Sequence, residues 1–413
     1  MTEKLLQIAN EAEAALAGIY ADIDAVSMQN TARVLDAFRD HRVSDAHFAP
    51  SSGYGYDDKG RDTLDRIYAD VFGAEAAFVR HSIASGTHAL AIGLYALLRP
   101  GDILYSVADK PYDTLDEVIG NVGEAGRGSL RDFGVEYMQS NLEDGKLNLA
   151  EIKANLEQYG DRIKVVFVQR SKGYLNRPTL TVAEIGELCE MVHAVSNAYV
   201  VVDNCYGEFT EDREPTAVGA DMIIGSLIKN PGGGMAESGG YIAGTARAVE
   251  LAGYRLTAVG VGTEIGASLG QTKGMYRGFF YAPHTVAQAL KTMHFAAYVF
   301  EALGFEAFPR WDERRSDIIQ TLRFGAPEKL IAFCKGIQAG SPVDSFVTPE
   351  PWDMPGYSDP VIMAAGTFVG GSSIELSADG PIRPPYTAFL QGGLTYESGK
   401  IGILRAAEEI LKL

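Results

Sequence analysis

An apolar run near the middle of the chain ends in an acid, AYVVVDNCYGEF (198–209), and a second ends in a lysine, DMIIGSLIKNPGGG (221–234). Both runs have the length and β-branched content of buried strands, so Asp203 and Lys229 are delivered at strand ends, 26 residues apart in the chain. An acid and a lysine side by side at such ends are what pyridoxal 5'-phosphate chemistry requires. The amine forms a Schiff base with the cofactor aldehyde, and the acid keeps the pyridine nitrogen protonated so that the ring accepts electrons. Taken singly, each residue has a plainer reading. An aspartate ending a strand serves as a cap or turn residue, and a lysine before Asn-Pro-Gly as a solvated loop residue.

Other residues along the chain fit the same chemistry. Ser85-Gly86-Thr87 lies between a strand pattern and an apolar helical run, so Gly86 lets the backbone approach a ligand while the first helical amides face an anion such as a phosphate. The same three residues also suit an empty helix cap. Neither GxGxxG nor GxxxxGK[ST] is present, which argues against a nucleotide fingerprint. Ser226, three residues before Lys229, is placed to donate a hydroxyl to the same phosphate, and Gly232-Gly233-Gly234 lets the chain pass close beneath a ring. Tyr112, in ADKPYDTLD, follows a strand and a proline, where its ring can lie on a pyridine or simply pack.

These residues need a frame. Residues 3 to about 40 carry helical periodicity, and HFAPSSGYGYDDKGRD (47–62) reads as a loop or arm with Tyr54 and Tyr56 at its centre. From Thr63 helix and strand patterns alternate, with strands at AAFVR, ILYSV, VEYMQ, KVVFVQ, AYVVVD, MIIGSLI and GYIAGT. Such alternation predicts an α/β fold built on a mostly parallel, doubly wound sheet. After about Tyr281 a long amphipathic helix, short strands and a terminal helix predict a smaller α+β domain. The expected division is an N-terminal helix and arm (1–62), a large α/β domain (63–280) and a small domain (281–413). Ligands in open α/β sheets collect at the carboxyl ends of strands, where AAFVRHSIASGT, KVVFVQRSKGY, AYVVVDNCYGEF and MIIGSLIKNPGGG all turn polar.

Composition narrows the partners. With 36 Lys and Arg against 54 Asp and Glu, the net charge of −18 repels phosphate backbones and anionic membranes, so neither nucleic acid nor membrane is expected. Three scattered cysteines, Cys189, Cys205 and Cys334, supply neither a disulfide framework nor a structural metal site. No uninterrupted apolar window reaches the length of a membrane span, and a cytoplasmic location is expected.

Taken together, SSGYGYDDKGRDTL (51–64), VRHSIASGTHAL (79–90), VVFVQRSKGY (165–174), DNCYGEF (203–209), GSLIKNPGGG (225–234) and LQGGLTYESGKIGI (390–403) resemble fold-type I pyridoxal phosphate enzymes. More narrowly, they resemble the methionine gamma-lyase family, or aluminium resistance protein branch, of the cystathionine/methionine lyase superfamily. The resemblance implies a carbon-sulfur lyase acting through a Lys229 aldimine on cysteine, methionine or cystathionine type amino acids. In it Asp203 faces the pyridine nitrogen, Tyr112 stacks on the ring and donates protons, and Ser85, Gly86, Thr87 and Ser226 hold the phosphate. It also implies a homodimer or homotetramer with shared sites, in which Tyr56 reaches the phosphate of a neighbouring subunit. An aminotransferase and a non-catalytic binding protein are the rival readings. The chain departs from the superfamily pattern twice. Tyr-x-Arg in the arm is replaced by Tyr56-Asp57-Asp58, which leaves Arg61 as the nearest cation. The carboxylate-binding arginine expected near Phe389 is missing, which leaves Arg383, with Arg170 as competitor, to grip a substrate carboxylate.

Overall fold

The computed structural model describes residues 2–354 and 359–413. It comprises two compact units, one formed by Met1–Thr31, Ile228–Gly234 and Tyr281–Leu413, the other by Ala32–Leu227 and Met235–Phe280. The helices α1 (Glu3–Asp40) and α8 (Thr272–Ala302) each contribute residues to both units.

The second unit is built on a seven-stranded sheet of β1 (Ala76–Arg80), β2 (Ile103–Ser106), β3 (Glu136–Gln139), β4 (Ile163–Gln169), β5 (Tyr199–Asp203), β6 (Met222–Ser226) and β7 (Gly240–Gly244). The order is β1-β7-β6-β5-β4-β2-β3. Strands β2 to β6 run parallel to one another, and β7 runs antiparallel to both β6 and β1. Strands β5 to β7 are buried almost throughout, which is why they read as apolar runs rather than alternating patterns: both faces are covered. Intervening helices are α2 (Lys59–Phe72), α3 (Gly86–Leu97), α4 (Asp113–Ile119), α5 (Leu149–Tyr159), α6 (Val182–Val195) and α7 (Ala246–Leu256). One apolar core joins Phe78, Leu90, Leu94, Leu104, Phe167, Val201, Ile224 and Ile242. The register sets Gln169 beside Asp203 and Asp203 beside Ile224, so β4, β5 and β6 end on one edge of the sheet.

In the first unit β8 (Glu306–Phe308), β9 (Ile319–Arg323), β10 (Val361–Ala364), β11 (Ser377–Pro381) and β12 (Thr387–Gln391) form an antiparallel sheet in the order β10-β11-β12-β9-β8. Helices α9 (Pro327–Gly340) and α10 (Tyr396–Ile410) complete it, and Leu5, Ala12 and Leu16 of α1 enter the same core as Phe300, Phe333, Leu390 and Leu404. Helix α8 begins at Thr272, well before His284, where the sequence pattern would start it. Pro283 reads as a boundary yet lies inside the helix, and the apolar periodicity on both sides carries the helix through the missing amide.

A close approach of α9 and α10 fixes this unit. A Cβ added at Gly336 would fall inside the backbone of Ala406. Gly336→Ala is therefore expected to destabilise the first unit by roughly 1–3 kcal/mol through overpacking, seen as an earlier transition in scanning calorimetry.

Candidate active site

Asp203 ends β5 at 6% exposure. Its carbonyl accepts the amide of Arg170 at 3.1 Å, and the next amide, of Asn204, continues the ladder onto Ile224 at 2.9 Å. Its Oδ1 accepts the amide of Cys205 at 3.1 Å, so the carboxylate is oriented by its own chain two residues on.

Beside it, α3 opens as the sequence pattern requires. Ser85 is the cap: its Oγ accepts the amide of His88 at 3.1 Å, and its carbonyl accepts the amide of Ala89 at 3.0 Å. The amides of Gly86 and Thr87 belong to the first turn, which has no intrahelical acceptor for them. A Cβ on Gly86 would lie 3.6 Å from Cys205 Sγ and 3.6 Å from Ser226 Cβ, so the helix start, the turn after β5 and the end of β6 meet at that glycine. Both readings of Ser85-Gly86-Thr87 are thus compatible. The serine caps the helix while its neighbours leave two amides to an anion.

Tyr112 occupies the cap position of α4 and is half-buried. Its ring lies 5.8 Å from that of Tyr174, tilted by 36°. A Cβ on Gly173 would come within 3.2 Å of the Tyr112 ring, and Gly173 has φ +55°, so the loop after β4 is shaped around this tyrosine. Thr114, two residues on, shares a 2.7 Å hydrogen bond between its Oγ1 and that of Thr87, tying the start of α4 to the start of α3. Lys172, in the same loop, is fully buried and was not among the residues singled out from the sequence.

Lys229 follows the end of β6 by three residues and opens the short turn Asn230–Gly232. Gly233 and Gly234 take φ +54° and +74°, the carbonyl of Gly233 accepts from Thr285 Oγ1 at 3.4 Å, and Gly234 leaves no room for a Cβ against Leu394. The glycine run is thus a built turn resting on the LQGGL stretch.

The arginines depart from expectation. Arg170 was the competitor for a substrate carboxylate, but it is fully buried and its donors serve the protein. Nη1 donates to Asn204 Oδ1 at 2.8 Å, Nη2 to Glu211 Oε1 at 2.8 Å, and Nε to the Leu180 carbonyl at 3.3 Å. Glu211 and Glu214, three apart in the turn after β5, supply the carboxylates beside it. Arg61, the suggested substitute for the arm arginine, is also withdrawn. At 3% exposure it donates to the carbonyls of Gly55 at 2.7 Å, Gly266 at 3.0 Å and Glu264 at 3.2 Å. It holds the arm in place, while Tyr54 and Tyr56 stand exposed with ring centroids 5.7 Å apart. Arg383 lies between Pro381 and the cis Pro384-Pro385 pair, exposed and ion-paired with Asp359 at 3.0 Å.

Among the described residues no helix is long and apolar enough to cross a membrane. The model of the family described as methionine gamma-lyase matches residues 5–411. The uncharacterised protein YnbB of Bacillus subtilis is 53% identical over 412 residues, spanning 99% of this chain and 97% of its own. The crystal structure of a carbon-sulfur lyase involved in aluminium resistance from Clostridium novyi is 48% identical, with a TM-score of 0.96 over 99% of this chain and 96% of that one. The pyridoxal-5'-phosphate dependent protein YhfS of Escherichia coli shares the fold at 17% identity, with a TM-score of 0.62 over 94% of this chain and 96% of its own.

The grip of Arg61 on three carbonyls is testable without substrate. Arg61→Met removes charged donors worth together roughly 3 kcal/mol of local stability. Amide exchange at Gly266 and Leu269, which bond the carbonyls of Tyr54 and Ser51, is expected to accelerate by about 100-fold while the β4–β6 core stays protected. Unchanged exchange at both amides would show that the arm is held by other contacts.

Proposed function

The chain belongs to the methionine gamma-lyase family, and from that premise we propose that it is a pyridoxal phosphate-dependent carbon-sulfur lyase acting on cysteine, methionine or cystathionine type amino acids by β or γ elimination. The observation that carries the reading is the meeting of Gly86, Cys205 and Ser226 at the sheet edge where Asp203 ends β5. A cradle of amides and small side chains beside a fixed carboxylate suits a phosphorylated pyridine, which presents an anion at one end and a ring nitrogen at the other.

When bound, the cofactor supplies an electrophilic aldehyde carbon and a ring that accepts the electron pair released at the substrate's α carbon. The chain's own residues do the rest. The amides of Gly86 and Thr87, with the hydroxyls of Ser85, Thr87 and Ser226, hold the phosphate. Asp203 would keep the proton on the ring nitrogen, and Tyr112 would pack against the ring. Lys229 would hold the aldehyde carbon, and its amine, free once the substrate's amino group has taken that place, would take the proton from the substrate's α carbon. The Tyr112 hydroxyl gives a proton to the departing sulfur, so that a thiol leaves and a keto acid and ammonia follow on hydrolysis. Arg383 takes the substrate carboxylate, and Tyr56 of a second copy completes the phosphate site in a homodimer or homotetramer. The exposure of Tyr54 and Tyr56 supports that assignment. The acidic chain and its three buried thiols fit work in the cytoplasm.

An absorbance spectrum tests the cofactor first. Wild-type protein given pyridoxal phosphate is expected to develop a visible band that borohydride bleaches while fixing the cofactor to Lys229, and Lys229→Ala to lack both the band and turnover while folding normally. Asp203→Asn is expected to keep the cofactor and lose roughly 100-fold or more in kcat, since the ring loses its charged partner. Full turnover in either variant sinks the corresponding role.

The carboxylate assignment has its own test. Arg383→Lys keeps the charge but loses the two parallel donors, so KM is expected to rise about tenfold or more with the cofactor band unchanged. A wild-type KM would remove Arg383 from the site.

A further inference from the structure

A polar assembly that the reaction does not use begins at the residue after Asp203. Arg170, at the end of β4, donates to Asn204 Oδ1, and Asn204 Nδ2 in turn donates to Glu214 Oε2 at 2.9 Å and reaches the Tyr241 hydroxyl at 3.4 Å. Tyr241, on β7, donates to Glu208 Oε1 at 2.8 Å. Burial above all, then the neighbouring carboxylates Glu208 and Glu214, hold the Tyr241 phenol well above its ordinary pKa, so it remains the donor. Glu214 Oε1 accepts the amide of Phe209 at 2.8 Å, Glu211 Oε1 that of Val182 at 3.0 Å, and Arg170 Nη1 stands 3.6 Å from Glu214 Oε2. Between β7 and β5 the assembly passes against β6. A Cβ on Gly225 would meet Glu208 Oε1 and Tyr241 Cε1 at 2.5 Å each.

The assembly therefore links the ends of β4 and β5 to β7 across β6, at the edge that carries Asp203. Its pivot is Asn204. Guanidinium has no acceptor and carboxylate no donor, so the Asn204 amide can sit in only one orientation between Arg170 and Glu214. Successive residues of an extended chain point to opposite faces, so fixing the Asn204 side chain on one side of the sheet fixes that of Asp203 on the other. Stability alone is a poor account of the arrangement, because buried ionic groups are often replaceable by apolar ones at no loss.

We infer that the assembly of Arg170, Asn204, Glu214, Tyr241 and Glu208 is the positioning device for Asp203, setting the direction in which its carboxylate meets the cofactor's ring nitrogen. The inference rests on the pyridoxal phosphate reading above. These five are assigned as positioning residues, acting on the ring nitrogen through Asp203.

Two variants test it: Asn204→Ala, which removes the pivot, and Tyr241→Phe, which removes one hydroxyl and conserves shape. Each is refilled with pyridoxal phosphate, and three quantities are compared with wild type: the thermal transition, the pH midpoint of the bound cofactor's visible band, and kcat against KM. The expected result is a displaced midpoint with kcat lowered by about tenfold or more at little change in KM, the pattern of a misdirected acid rather than a lost substrate contact. A lowered thermal transition with midpoint and kcat at wild-type values in the folded variants would make the assembly structural only and overturn the inference. If Asn204→Ala does not fold, Tyr241→Phe decides by the same criteria. Failure of the wild type itself to take up pyridoxal phosphate would overturn the functional reading together with the inference, and it is recognised before any substitution is made.

Discussion

A guanidinium taken wholly out of water must find acceptors for its donors, and Arg170 collects them from a wide span of chain. The Leu180 carbonyl, the Asn204 amide and the carboxylates of Glu211 and Glu214 all converge on it. Removing such an ion from water costs several kcal/mol, which is offset only where the geometry satisfies it fully. The turn after β5 is accordingly folded around this one group. Gly207 has no side chain because Arg170 occupies the space a Cβ would take, and Thr210 turns its hydroxyl to the Gly207 carbonyl at 2.7 Å. Glu211 and Glu214 bring more negative charge than one guanidinium balances. Arg33 is drawn toward them: burial lowers its pKa, and Glu214 and then Asp212 oppose that fall. The acids that follow Asp203 are thereby engaged within the protein, apart from the amides at the start of α3.

With a net charge of −18, the binding of any anion by this chain depends on local rather than global electrostatics. Arg61, offered by the sequence for a phosphate, and Arg170, offered for a substrate carboxylate, are both turned inward, toward carbonyls and carboxylates. The first turn of α3 opens on Gly86 and Thr87 behind the Ser85 cap, and Ser226 ends β6 close to Gly86. Amides fixed by a helix keep their direction whatever the overall charge, and a glycine at the first position brings them close. The same economy shapes the Tyr112 side, where Gly173 leaves room for the ring and the Thr87–Thr114 contact joins the two helix starts.

How much of this was legible in the sequence follows from the range of each interaction. Strands buried on both faces write themselves as apolar runs, so β1, β2, β4, β5, β6 and β7 were readable, and the polar residues that end them marked one edge of the sheet. Ser85 and Gly86 were readable because a cap is a local signal. Pro283 lies inside α8 against its local preference, because the helix packs on both sides of it. Arg170 and Arg61 were misread for a different reason. Nothing local distinguishes an arginine that turns to solvent from one that turns inward, and the partners that decide the matter are Glu211, 41 residues on, and carbonyls of residues 264 and 266, which carry no side-chain signature at all.

That contrast explains why residues one place apart in the chain differ in visibility. Asp203 and Lys229 announce themselves by standing at the ends of apolar runs, since a polar residue there breaks a pattern. Asn204 follows Asp203 directly and looks like any turn residue, and Tyr241 looks like any buried aromatic in GYIAGT. Their roles emerge only once β7, β6, β5 and β4 are adjacent and the Asn204 amide is seen to have one allowed orientation. A donor-only group on one side and an acceptor-only group on the other leave the amide no alternative, and this chemical asymmetry gives the turn after β5 a single hydrogen-bonded arrangement.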